Sequence, residues 1–457
     1  MRSRSTRQAL VSMPRAAYLF FAILAVSLVF GGGGARYGLS NAVVQIFALA
    51  VLLYAWPQIS AALPRVPRLF LALLGLTLAI PLLQLLPLPP AIWQSLPGRD
   101  LAVATFDLLD LEGTWMPFSL DRARTLTALS ALVPALALAL GVFATRKALA
   151  PMAGNGWLVA IVAMALANFM FGAVQLLTSN GPLNWYPVLT STRFYGFFAS
   201  HNTSGLLFVI ALCALFGLSQ RHGSRNSNPS RRRRFNLLLL GCALVFLLGI
   251  VLTQSRSSLA LSVIPIGAFA LAYIFGARTS TKRPKWQVLS LVLVPLAALI
   301  AFAASNDRLQ STWDRFDDLE DARPAIWTDT LSGIERYWPA GAGVGTFDEV
   351  FQVEESLETL HPMKAGRAHN DYLEVALESG IIGLVTIAAW IVYLLSQVFL
   401  RIVPARDYAG MAAGLAILSI LLQSTIDYPL RNQTIICVAA VLLALLVAQA
   451  QDAEGNT

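Results

Sequence analysis

Windows of roughly 17 to 22 mainly apolar residues, the length needed to cross about 30 Å of hydrocarbon, alternate along the chain with short polar links. They are Ala16–Gly34, Leu39–Trp56, Leu69–Leu88, Thr125–Ala144, Gly156–Leu177, Thr203–Ser219, Phe235–Thr253, Ser257–Gly276, Trp286–Ala304, Gly380–Leu400, Ala409–Ile426 and Gln433–Val447. A segment inside a bilayer must satisfy its own backbone hydrogen bonds, and these Leu, Ala and Val runs lack the alternation of a barrel strand. The pattern therefore predicts an all-α polytopic membrane protein with about twelve transmembrane helices. The first window follows Arg2, Arg4, Arg7 and Arg15 as a signal peptide would. It ends in GGGGARYG without a small-x-small cleavage site, so it reads as an uncleaved helix. Polar mass collects in Pro89–Arg124 and Ser305–Ser379. The expected organisation is a tail at 1–15, nine spans in 16–304, a large helical loop at 305–379, three spans in 380–447 and a tail at 448–457.

Composition agrees with this pattern. Of 457 residues, 56% are hydrophobic and 13% charged, against about 25% charged in soluble chains, and mean hydropathy is +0.64. The net charge of +8 resolves into two faces once the links are sorted by side. With the amino terminus cytoplasmic, most Lys and Arg fall in inside links and nearly all Asp and Glu in outside ones, as the positive-inside rule requires. Both termini are then cytoplasmic. The Arg231–Arg234 run reads as a topology anchor beside anionic lipid, and no nucleic-acid partner is expected. Cys213, Cys242 and Cys437 fall inside apolar windows without metal or disulfide spacing and read as packing residues.

Ionisable side chains are nearly missing from the span centres, where they would mark an ion pathway, and gather at the outer helix ends. Three places stand out. In TSTRFYGFFASHNTSG, Arg193 precedes four aromatics around a glycine, with His201 and Asn202 at the membrane surface; snorkelling of Arg193 above an interfacial aromatic belt is the competing reading. In TQSRSS, Arg256 is pinned at the outer surface by a link so short that only small polar residues are needed for the turn. In the long outer loop, DARPAIWTDTLSGIERYWP, which carries Arg323, begins with Asp321 and Pro324 as a helix start and is predicted as a helix with Ile326, Trp327, Leu331, Ile334 and Trp338 on one face.

After that helix, Gly341, Gly343 and Gly345 read as a turn, since no strand precedes them as a phosphate cradle would require. FDEVFQVEESLETL reads as a second amphipathic helix. The loop closes on AHNDYLEVALESGIIGL, with Asn370 as N-cap and His369 at a helix N-terminus, where the dipole favours a neutral ring able to take a proton. Asp317, Asp318, Glu320 and Asp321 read as a solvated acidic face, with a divalent-ion site as the alternative.

Together, RFYGFFASHN (193–202), QSRSS (254–258), RPAIW (323–327), PAGAGVGTF (339–347) and HNDYLEVALESGIIGL (369–384) resemble the O-antigen ligase and O-antigen polymerase superfamily of bacterial membrane glycosyltransferases. The resemblance covers about Arg193 to Leu400. His201 departs from it, standing where related sequences more often have proline or another small residue. The resemblance implies a GT-C-like helical fold in the bacterial inner membrane and a periplasmic site. It also implies an undecaprenyl-diphosphate-linked glycan donor, and transfer to an acceptor hydroxyl on lipid A-core or a growing glycan, with no metal and no cofactor. Arg193, Arg256 and His369 become the catalytic candidates, the two arginines because a forked permanent cation suits a leaving diphosphate. Arg323, Asn370, Tyr195 and Asn202 become the substrate-binding candidates. A transporter or flippase, a protein-glycosylating relative and a noncatalytic scaffold are the competing expectations.

Overall fold

The computed structural model describes residues 15–34, 37–149, 155–178, 183, 186, 193–225, 229–276, 323–358 and 365–454. Its helices are α1 (Arg15–Phe30), α2 (Gly38–Tyr54), α3 (Trp56–Ala62), α4 (Arg68–Gln84), α5 (Pro90–Trp93), α6 (Asp100–Leu108), α7 (Arg122–Leu149), α8 (Asn155–Leu177), α9 (His201–Arg225) and α10 (Pro229–Thr253). They continue as α11 (Arg256–Leu261), α12 (Val263–Gly276), α13 (Arg323–Tyr337), α14 (Phe347–Glu354), α15 (Asp371–Gln397), α16 (Tyr408–Gln423) and α17 (Gln433–Glu454). A two-residue antiparallel ladder pairs Pro87–Leu88 with Met116–Pro117.

Every predicted window coincides with helix except Trp286–Ala304, which lies outside the described residues together with the acidic run from Asp317 to Asp321. Among the described residues six helices are long and apolar enough to cross a membrane, or seven if α2 and the segment after its 67° bend count as one span; α1, α4, Arg256–Ala272 and α16 are shorter apolar helices. The Arg231–Arg234 run lies in the first turns of α10.

Two helices form the centre. The apolar windows of α9 and α17 are both 89% buried, against 22% for α10 and 28% for α15, as expected for helices apolar on all sides. In lipid, packing replaces the hydrophobic effect as the force between helices, so small residues set the distance of approach. On α9, a Cβ at Gly217 would stand 2.8 Å from the Ala412 Cβ of α16, and at Gly205 it would run into the Ser258 hydroxyl of α11. At one end of α17, Arg146 pairs with Asp452, Arg401 with Glu454, and the Gln451 amide reaches the Arg65 carbonyl.

At the opposite end, α13 and α14 form a small unit around Tyr337, Phe347, Val350, Phe351 and Leu377. The α13 face that packs inward is Ile326, Thr330, Gly333, Ile334 and Tyr337, while Leu331 and Trp338 are exposed, which corrects the expected face. Gly333 shifts the buried stripe because its missing side chain lets Leu377 approach. The helix expected from FDEVFQVEESLETL stops at Glu354. Segment 89–124 is the unit's second wall: Gly98 packs against the Tyr337 ring, Arg336 bridges Asp100 and Glu354, and Leu120 N–H donates to the Ala342 carbonyl.

Candidate active site

Each sequence motif is held at this end by a specific lock. Before α9, Phe194 N–H donates to the Leu252 carbonyl of α10, and Phe197 N–H donates to Asn168 Oδ1 of α8. Asn168 is fully buried and also donates to Ser204 Oγ. Gly196 is required there: its φ is +64°, and a side chain would collide with Asn168. The aromatics Phe194, Tyr195 and Phe198 are buried and do not form an interfacial belt. Tyr195 meets the His201 ring edge-on at 6.0 Å. Arg193 Nη1 lies 3.0 Å from His201 Nε2, so the residue that departs from the family pattern orients the candidate cation.

The Arg256 turn is fixed alongside. Gln254 adopts φ +54°, Ser255 caps α11 by accepting Ser258 N–H, and Ser258 Oγ donates to the Asn202 carbonyl at 3.3 Å. Arg256 is the exposed first residue of α11. The candidate residue Asn202 thus ties the two arginine-bearing turns through its backbone.

His369 follows Ala368, whose carbonyl accepts the Trp327 indole N–H of α13 at 2.8 Å. The histidine has φ +50°, a sparsely populated conformation for a residue with a side chain, held by neighbours on both sides. Asn370 caps α15, its Oδ1 accepting from Tyr372 and Leu373 N–H and its Nδ2 donating to the Thr425 carbonyl. Those bonds hold its amide against the start of α15 and the α16–α17 turn, beside His369. The predicted cap itself is present.

The turn between α16 and α17 completes the site. Asp371 N–H donates to the Ser424 carbonyl, and Asp371 Oδ2 accepts from Ser424 Oγ and Leu430 N–H. This docks the turn against His369. Asp427 Oδ1 then lies 3.4 Å from His369 Nδ1, and the Tyr428 ring meets the imidazole edge-on at 4.9 Å. Burial would raise the Asp427 carboxyl, but the facing His369, with Arg323 further off, holds it below its ordinary range. Asp427 and Arg323 both lie within electrostatic range of His201. The Arg193–His201 pair, Arg323, Asp427 and His369 therefore form one constellation, although they are up to 234 positions apart in the chain.

Beneath the turn sits a second charged layer. Arg431 reaches Glu374 at 3.2 Å and Glu378 at 2.8 Å, and Arg367 reaches Glu374 at 3.0 Å; both glutamates are buried. The 339–345 loop closes over this layer, its Ala342 and Gly343 N–H groups donating to the Leu377 and Glu378 carbonyls. Gly341, Gly343 and Gly345 all have positive φ and touch neighbouring backbone or side chains, so they serve as the turn expected of them.

Residues 241–388 match the family model for O-antigen ligase. This match supports kinship with the O-antigen ligase and polymerase superfamily. No curated protein matches the chain. The O-antigen ligase segment contains Arg256, Arg323, the glycine loop and His369. Arg193 and His201 precede it, and Asp427 and Arg431 follow it. Asp427 and Arg431 are not legible in the sequence, because each reads as an ordinary charge in a short link between two apolar windows. The signal available was the link itself: Ile426–Asn432 packs three ionisable or amide side chains between two apolar helices.

Proposed function

We propose that this protein is a periplasmic-face glycosyltransferase with about twelve spans and both termini in the cytoplasm of a bacterial cell. It moves a glycan from undecaprenyl diphosphate to an acceptor hydroxyl, with O-antigen ligation onto lipid A-core as the leading form and polymerisation of repeat units as the alternative. The observation that carries this reading is the convergence of Arg193–His201, Arg323 and the Asp427–His369 pair at one end of the bundle, within and beside an O-antigen ligase domain.

The acceptor oxygen attacks the anomeric carbon and the bond from that carbon to the diphosphate oxygen breaks. Undecaprenyl diphosphate leaves with the bonding electrons. Arg193 and Arg256 take up the charge that develops on it, a contribution that grows in a partly dehydrated site. The acceptor proton passes to His369. With Nδ1 turned to Asp427, Nε2 is the nitrogen left to accept it. The test is release of undecaprenyl diphosphate by purified protein given the lipid-linked donor and lipid A-core; failure of the wild type to release it would overturn the reading. Chain-length loss with single-repeat lipopolysaccharide retained in a deletion strain would favour polymerase, and accumulation of unligated lipid-linked polymer would favour ligase.

A further inference from the structure

His369 stands between stretches of backbone that other elements hold. Its predecessor Ala368 is fully buried and clamped on both sides: the Ala368 N–H donates to Glu374 Oε1 at 3.1 Å, and the Ala368 carbonyl accepts the Trp327 indole N–H at 2.8 Å. Glu374 is itself fully buried and is held by Arg367 at 3.0 Å and Arg431 at 3.2 Å. Beyond the histidine, the Asn370 side chain caps α15 and Asp371 N–H donates to the Ser424 carbonyl. Between these anchors lies the strained torsion, φ +50° at His369.

A residue with a side chain persists at such a φ where its surroundings over-determine it. The Ala368 carbonyl belongs to the peptide plane that leads into His369, so the indole bond fixes the plane from which the histidine's Cα–Cβ bond departs. Freeing that plane lets φ relax to the ordinary negative region, which swings the imidazole away from Asp427, now 3.4 Å from Nδ1. Trp327 is placed for this task. The buried face of α13 runs through Thr330, Gly333 and Tyr337, and Trp327 stands at its edge, half-buried, with its ring nitrogen on the Ala368 carbonyl. Arg323 lies one turn earlier on the same side of the helix, with its charge in electrostatic range of Asp427. One helix thus sets the backbone in front of the histidine and brings a cation near the carboxylate behind it.

We infer that Trp327 is a positioning residue for the base: its indole N–H, working with the Glu374 carboxylate, fixes the backbone around Ala368 so that His369 turns Nδ1 to Asp427 and Nε2 to the acceptor hydroxyl. The inference rests on the proposed glycosyl transfer. It is tested on full-length protein in detergent with Trp327→Phe and with benzothienylalanine incorporated at position 327, which keeps the bicyclic ring and replaces its N–H by sulfur. Release of undecaprenyl diphosphate should fall about ten- to a hundredfold in kcat for both variants, as for other misplacements of a catalytic group from a distance. KM for lipid-linked donor and for lipid A-core should stay within about twofold of wild type, because the loss falls on the transition state. Adding Asp427→Asn to either variant should cost no more than about threefold beyond the worse single change, since both act through one imidazole. Near wild-type kcat or loss of folding with benzothienylalanine would reduce Trp327 to packing or to holding α13, and losses that multiply in the double variant would place its effect elsewhere; each overturns the inference.

Nitrogen NMR of the His369 ring without substrate separates this role from the transfer itself. The balance of tautomers should shift in the benzothienylalanine variant, and an unchanged balance overturns the positioning role alone. If the wild type releases no undecaprenyl diphosphate, the proposed function fails whatever the ring reports.

Discussion

His369 Nδ1 faces Asp427 Oδ1 at 3.4 Å, across 58 positions of sequence, because Asp371 holds the α16–α17 turn through Ser424 and Leu430. The pairing gives the histidine an orientation that its own strained backbone would not fix. It also makes Asp427 a positioning residue, acting on the reaction through the imidazole.

The depressed pKa of Asp427 sets a pH signature. A carboxyl whose folded value lies below its unfolded value stabilises the fold fully above the unfolded value of about 3.9, and loses that contribution as pH falls through the folded value. Thermal unfolding of Asp427→Asn should therefore lie below wild type at neutral pH, with the gap closing only at more acid pH than ordinary carboxylates titrate. A gap that closes between pH 6 and 5 would contradict the pairing.

Arg431 is the shared partner of buried Glu374 and Glu378. Removing one member of a buried ion network leaves uncompensated charge and costs about 3–5 kcal/mol. Arg431→Ala should therefore reduce the yield of folded protein and lower its Tm in detergent. Arg431→Lys should recover only part of the loss, because a point charge cannot reach both glutamates as the planar fork does.

Gly380 interrupts α15 at φ +54°, and a Cβ there would collide with the Pro339 carbonyl oxygen. Gly380→Ala should cost about 1–3 kcal/mol, as for other side chains forced into sparsely populated backbone conformations. Its effect should spread to the 339–345 loop, seen as faster amide exchange at Ala342 and Gly343, whose N–H groups bond the residues just before the kink.

Arg193 draws its orientation from His201. Arg193→Ala should lower turnover by roughly 10²–10³, the usual loss on removing a stabiliser of developing charge, and Arg193→Lys should regain little. Full recovery by lysine, measured as release of undecaprenyl diphosphate, would reduce the role to bulk charge.

Much of this arrangement is legible in the chain. Apolar windows locate the helices, Asn370 and Asp371 mark the start of α15, and the glycine triplet marks a turn, because each depends on local chemistry. Arg193, Arg256, Arg323 and His369 are recognisable because they are ionisable groups beside membrane helices in a fixed order. Asp427 and Arg431 are not, since their significance lies in burial against residues more than 50 positions away. Asn370 is legible in both respects, since the residue that the motif singles out is also the cap of α15. Burial is a property of the packed helices, and spacing alone does not reveal it.

The most direct test of the central claim is undecaprenyl diphosphate release from a lipid-linked glycan donor by purified wild type, Arg256→Ala and His369→Ala, each checked for intact folding. Loss of a charge stabiliser or a general base costs roughly 10²–10⁴ in rate, so the wild type should turn over while both variants fall by at least about a hundredfold. Near wild-type release by either folded variant would contradict the assignment of diphosphate stabilisation to Arg256 or of proton acceptance to His369.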